Sequence, residues 1–166
     1  MKVKINQDKN MSEIEIIVNC PTVDTHVRNL LDVLQQCAVS LPGMVDDMSV
    51  CVPLYAILYI ESIDRKIFFY DESRVFQRKD SLAALESLLE QYRFLRISKN
   101  CIVNIFQITA TYRCDNHRLG ILLRNGERLV AGRVYTSKVR KSIQQLGMSL
   151  SGTAQMLEHS WQERDT

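Results

Sequence analysis

The chain is poor in the residues from which most catalytic sites are built. Its 166 residues include three histidines, His26, His117 and His159, none at metal-ligand spacing from another His or from a Cys. Glycine is scarce, at six residues, and neither a Gly-rich phosphate loop nor a Gly-x-Ser-x-Gly nucleophile elbow occurs. The five cysteines, Cys20, Cys37, Cys51, Cys101 and Cys114, are scattered, odd in number and without a Cys-x-x-Cys pair. That argues against a zinc site and against a secreted disulfide framework, and they read as reduced thiols acting as small apolar residues. Asp46-Asp47 and Asp71-Glu72 fall in polar turns, where carboxylates are solvated. The sequence therefore reads as a protein that is not an enzyme, with no metal, no cofactor and no small-molecule substrate. No apolar run reaches the ~18 residues needed to span a bilayer. The start, Met1 to Asn6, has no apolar signal core, so a cytoplasmic protein is expected.

What the chain does have is an ordinary bulk and an uneven distribution of charge. Its hydrophobic fraction of 46% and charged fraction of 24% are those of a globular protein, and its length suffices for a core without disulfides. The net charge of +2 is not evenly spread. Residues 1–50 carry four Lys/Arg against seven Asp/Glu, net −3. Residues 51–146 carry sixteen against nine, net +7, and residues 147–166 carry one against three, net −2. A basic segment between acidic flanks suggests a polyanionic partner.

The pattern of side chains divides the chain the same way. Residues 1–49 read as a small α/β extension, a candidate dimerisation or regulatory element. Lys2 to Asn6 alternates, and Ile14, Ile16 and Val18 share a strand face. A helix follows Pro21, with Thr22 as its N-cap and Val23, Val27, Leu30, Leu31 and Leu34 as one apolar stripe. Leu41-Pro42-Gly43 breaks the chain, and Met44 to Met48 links it to the next segment. From there short strands crowd together, at Val50–Pro53, Ile57–Glu61, Lys66–Tyr70 and Val75–Arg78, with a turn at Asp71 to Ser73. A helix over Leu82–Tyr92, capped by Asp80 or Ser81, buries Leu82, Leu85, Leu89 and Tyr92. Strands resume at Leu95–Ile97, Ile102–Asn104, Ile108–Tyr112, Leu119–Leu123 and Arg128–Ala131, with Asn125-Gly126 predicting a type I′ hairpin turn. A last helix is expected over Thr136–Leu146, and residues 147–166 read as a mobile tail with a fragmentary helix near Ala154–Trp161.

Three stretches, in order and at matching spacing, resemble the LytTR family of DNA-binding domains. They are Ile57 to Lys66, Phe94 to Asn104, and Asn125 to Tyr135, and together they cover about Val50 to Leu146. The resemblance implies a mainly β fold with some α: an elongated stack of short antiparallel sheets with one principal helix. It implies a DNA-binding domain over residues 50–146 whose loops, rather than a recognition helix, enter successive major grooves. It implies a transcription regulator acting on paired promoter repeats as a homodimer. Many members carry an N-terminal receiver domain, for which fifty residues are too few. The short leader instead resembles a stand-alone subgroup in which a small membrane protein is often the antagonist. Where the family usually has His-Arg-Ser this chain has Ser98-Lys99-Asn100, and where it usually has Ser-Arg before the late Tyr this chain has Gly132-Arg133. Lys99 keeps the charge of an Arg without its planar fork.

Duplex DNA attracts Lys and Arg through its phosphates and is read through base edges in the major groove. The DNA-binding candidates are Arg65 and Lys66 in the first loop, Lys99 and Asn100 in the central loop, and Arg133 in the last. Lys138, Arg140 and Lys141 form a basic cluster suited to phosphates. Arg96 is open between pairing an internal acid such as Glu61 and holding a phosphate, and Asn104 is expected to brace a turn. Phe68, Phe69 and Tyr70 read as strand formers, so no RNA-stacking platform and no RNA partner are expected. Cys101, next to the central loop, is a candidate redox switch against the plainer reading of a buried thiol. An alternative to the DNA regulator is a protein-interaction module in which the helix stripe of the acidic leader is the contact surface and a membrane or regulatory partner holds the DNA-binding face.

Overall fold

The computed structural model describes residues 2–147, and the expected tail helix near Ala154–Trp161 lies outside them. Among the described residues the chain is mostly antiparallel β-sheet with three α-helices. Helix α1 is Thr25–Ala38, α2 is Leu82–Leu89 and α3 is Arg133–Gln145. The strands are β1 Ser40–Val45, β2 Met48–Pro53, β3 Tyr59–Ile63, β4 Lys66–Tyr70 and β5 Val75–Arg78, then β6 Phe94–Arg96, β7 Cys101–Asn104, β8 Ile108–Arg113, β9 Leu119–Leu123 and β10 Arg128–Ala131. They form a seven-stranded sheet in the order β2-β1-β5-β4-β3-β7-β6 and a three-stranded sheet in the order β10-β9-β8.

The large sheet is buried on both faces because successive residues of its central strands point to opposite cores. Ile60 and Ile102 join Phe69, Phe76 and Leu85 of α2 on one side. Their neighbours Tyr59 and Val103 join Ile121 of the small sheet and Val139 and Ile143 of α3 on the other. Phe69 and Phe76 stack with ring centroids 4.9 Å apart. The result is a layered molecule: α2, the large sheet, then the small sheet with α3.

The structure departs from the expected pattern in several places. The leader strands at Lys2 to Asn6 and Ile14 to Val18 are not formed; Val3, Ile5 and Ile14 are 79%, 88% and 94% exposed. Alternation alone does not make a strand when no neighbouring edge is there to pair with it. The helix cap is Asp24, whose Oδ1 accepts from the Val27 N–H at 2.9 Å, not Thr22. Of the expected stripe, Val27, Leu30 and Leu34 are half-buried while Val23 and Leu31 are exposed. Leu41-Pro42-Gly43 is not a break but the middle of β1, and Asp46-Asp47, with φ of 48° and 62°, turns it into β2. Gly43 is needed there, because a Cβ would lie 2.4 Å from the Phe69 ring. Asn125-Gly126 does not make a type I′ turn. The Gly126 N–H bonds the Leu123 carbonyl at 2.9 Å and only Gly126 has positive φ, at 87°, so a type I turn over Arg124-Asn125 is followed by a left-handed glycine. Helix α3 starts three residues earlier than expected, at Arg133. The α2 cap is Ser81, which accepts from the Ala84 N–H, while Asp80 pairs with Arg78.

Candidate nucleic-acid interface

The register of the strands places four chain reversals at one end of the molecule. Ile63 pairs with Lys66, so the β3–β4 tip is Asp64-Arg65. Both have positive φ, 48° and 63°, the geometry of a two-residue primed turn made here without glycine. Glu61 pairs with Cys101, and the Ser62 N–H bonds the Asn100 carbonyl at 2.8 Å, so the β6–β7 turn sits beside that tip. The Gly132 N–H bonds the Ile97 carbonyl at 2.8 Å, bringing the start of α3 alongside the same turn. Leu119 pairs with both Ala131 and Arg113, so the β8–β9 turn comes next. Arg65, Lys66, Lys99, Asn100 and Arg133 are thus neighbours along one edge, all exposed. Ser98, Lys99 and Asn100 line an open recess of about 410 Å³ with Gly132, Arg133 and Tyr135.

The central turn is held from within. The Ile97 and Ser98 N–H groups bond the Cys101 carbonyl at 2.9 and 3.3 Å, and the Asn100 N–H bonds Ser98 Oγ at 3.1 Å. Arg96 closes the turn from below. Its Nε donates to the Ser98 carbonyl at 3.0 Å, its Nη2 to the Lys99 carbonyl, and its Nη1 to Glu86 of α2 at 2.8 Å. Its acid partner is therefore Glu86 and not Glu61, because the side chain turns toward α2 to reach the carbonyls of the loop.

The remaining candidates lie elsewhere. Lys138 stands on the shaft of α3 and pairs with Glu90 at 2.9 Å. Arg140 is half-buried and Lys141 exposed, seven and eight residues beyond Arg133, some 10–12 Å along the helix from the row of turns. Lys79, which sequence reasoning passed over, belongs to the row: Ile67 pairs with Arg78, so the residue that follows β5 falls beside Lys66. Cation pairing separates the row from Lys138 but not from Arg140 and Lys141, which have no carboxylate partner among the described residues. Arg74, Arg78, Arg93, Arg96, Arg124 and Lys138 have carboxylate partners. The cations of the row have none among the described residues.

Two other residues take structural roles. Asn104 is fully buried and braces its turn as expected, accepting from the Phe106 N–H at 3.2 Å and donating to the Ile57 carbonyl at 3.0 Å. Cys101 is 6% exposed, and burial, then the nearby Glu61, pushes its thiol up to about 12. Almost no thiolate forms at neutral pH, so the side chain is a poor redox switch.

Comparison with known proteins bears on the family and the fold. The family profile of the LytTr DNA-binding domain matches residues 47–144. A solved LytTr DNA-binding domain from Bacillus cereus superposes with a TM-score of 0.60 at 28% identity, covering 63% of this chain and 96% of that one. The sensory transduction protein LytT of Bacillus cereus is 25% identical over 97 residues, 58% of this chain, which spans only 39% of that protein's length. An HTH-type transcriptional regulator of Staphylococcus aureus is 23% identical over 145 residues, 86% of this chain and 98% of its own. Among the described residues no helix is long and apolar enough to cross a membrane.

Proposed function

Because this chain belongs to the LytTR family of DNA-binding domains, we propose that it is a sequence-specific duplex-DNA-binding transcription regulator whose turns enter the major groove of promoter repeats. The observation that carries the proposal is the row of unpaired cations on adjacent turns at one end of the sheets. Lys99 and Arg133 face the same recess and are the groove-reading pair, with Asn100 beside them suited to adenine and the two cations to guanine. Arg133 also sits in the first turn of α3, where the unbonded N–H groups add positive potential. Arg65 and Lys66 extend the contact along the duplex, and Arg140 and Lys141 offer charge to flanking phosphates. Paired repeats call for two copies, so the regulator acts as a homodimer, and α1, with Leu31 and Val33 exposed, is the surface left for a second copy or a membrane-protein antagonist.

The Lys99→Ala plus Arg133→Ala double variant tests this. At about 1–3 kcal/mol per base contact, it should bind its own promoter region a hundredfold or more weakly in gel retardation at physiological salt, while its thermal melting stays that of the parent. Undiminished promoter affinity in a folded double variant would reject the site.

A further inference from the structure

The β8–β9 turn holds none of the residues that the sequence nominates, yet strand register places it in the row. Arg118 leaves the small sheet one residue before Leu119, which pairs with Ala131, so it stands opposite Gly132 at the next strand. Arg113 pairs with Leu119 and lies one strand further out. At about 4.8 Å per strand the two are roughly 5 and 10 Å to the side of the start of α3. The turn is closed. The Cys114 N–H bonds the Arg118 carbonyl at 3.1 Å, and the Arg118 N–H and Nε bond the Asp115 carbonyl at 3.4 and 3.3 Å. Asn116 and His117 take positive φ of 57° and 59° to make it. Arg113 and Arg118 are exposed and without an ion-pair partner among the described residues, and Asp115 is the one acid in the turn.

We infer that Arg113 and Arg118 form a phosphate clamp on the DNA strand bordering the groove that Arg133 enters. The inference rests on the duplex-DNA reading and adds a contact to it. The magnitudes decide between phosphate and base. The major groove of B-DNA is about 12 Å wide, so a side chain 5–10 Å to the side of one seated in it meets the groove wall, which is the sugar–phosphate backbone. Such a contact positions the protein without reading sequence. It makes the small sheet, and not only the large one, part of the binding surface.

The test uses the full chain and a 30-bp duplex of mixed sequence, since a phosphate clamp does not need the operator. Fluorescence anisotropy between 50 and 200 mM salt is compared for the parent, for Arg113→Ala plus Arg118→Ala, and for Arg113→Lys plus Arg118→Lys. Each phosphate that is no longer neutralised takes about 0.9 from the slope of log K against log salt, so the alanine pair should flatten the slope by roughly two and weaken binding about tenfold more at 50 mM than at 200 mM. The lysine pair should keep the parent slope. An alanine pair indistinguishable from the parent, or a lysine pair that falls as far as the alanine pair, overturns the clamp and leaves the groove assignment standing. A parent that binds no duplex overturns both.

Discussion

Arg96 shows how one partly buried guanidinium fixes the chemistry of residues it does not resemble. Three of its nitrogens are committed, to Glu86 and to the Ser98 and Lys99 carbonyls. Lysine has the charge but not the planar fork, so Arg96→Lys keeps one of these hydrogen bonds and forgoes the others. Hydrogen bonds to charged groups are worth about 1.5–3 kcal/mol each, and because water reaches the partly exposed pair and offsets part of the two that are lost, stability should fall by about the value of one in urea titration. DNA affinity should fall with it although Arg96 lies behind the loop; an unchanged affinity would show that the loop holds its shape without the brace. Glu61, on β3 and two strands from Arg96, makes a prediction of the opposite sign. Burial first, and the charge of Glu127 second, raise its carboxyl above the usual carboxylate value. A group whose folded pKa exceeds its unfolded one costs stability when ionised, and the cost disappears as pH falls through the folded value. Glu61→Gln should therefore be more stable than the parent at pH 7, the difference narrowing as pH falls toward the unfolded value of 4.5. Urea midpoints at the two ends of that range check it, and a parent more stable at neutrality would refute it.

At the level of elements, α1 is attached by polar clips rather than by its apolar stripe. Asn29 Nδ2 donates to the Leu146 carbonyl at 3.0 Å, Asp32 pairs with Arg93 at 2.7 Å, and Gln36 and Asn104 exchange amide hydrogen bonds at 3.0 and 3.1 Å. Asn104→Leu would strand the Ile57 carbonyl, the Phe106 N–H and the Gln36 Oε1 in a buried site, while the Leu54 carbonyl keeps its bond from the Ile57 N–H. With each orphaned group costing about 1–3 kcal/mol, chemical denaturation should register a loss of about 3 kcal/mol or more, whereas a loss below about 1 would mean that the network relaxes. Side-chain alternation made β4 legible through Ile67 and Phe69, and a short continuous apolar run did the same for β7, where Ile102 and Val103 are buried on opposite faces. Alternation misled in the leader, where Ile14 and Ile16 alternate with acids but meet no partner strand. Strand β1 was illegible for the converse reason. Pro42 and Gly43 are breakers by local rules, and the neighbour that makes Gly43 necessary is Phe69, on a strand distant in sequence.

Over the whole molecule, charge and attachment occupy opposite ends. The reversals at Asp64-Arg65, Ser98 to Asn100, Gly132-Arg133 and Cys114 to Arg118 face one way, whereas Asn104, Arg93 and Leu146, the seats of α1, lie at the other ends of their elements. From β5 to β8 the row crosses seven strand-to-strand steps, a contour of about 34 Å at about 4.8 Å each, which is about one turn of B-DNA. Counting basic residues in the sequence found the net +7 but could not tell Lys79 from Lys138: one falls in the row by register with Lys66, the other on a helix shaft beside Glu90. That distinction is measurable, because each cation that reaches a phosphate adds about 0.9 to the salt slope of binding. With about five to seven cations engaged, log K for a duplex should fall with log salt at a slope of roughly −4 to −6. Lys79→Ala should flatten that slope by about one while Lys138→Ala leaves it where it was. The reverse ranking would mean that the duplex lies along α3, and the row of turns would then need another ligand.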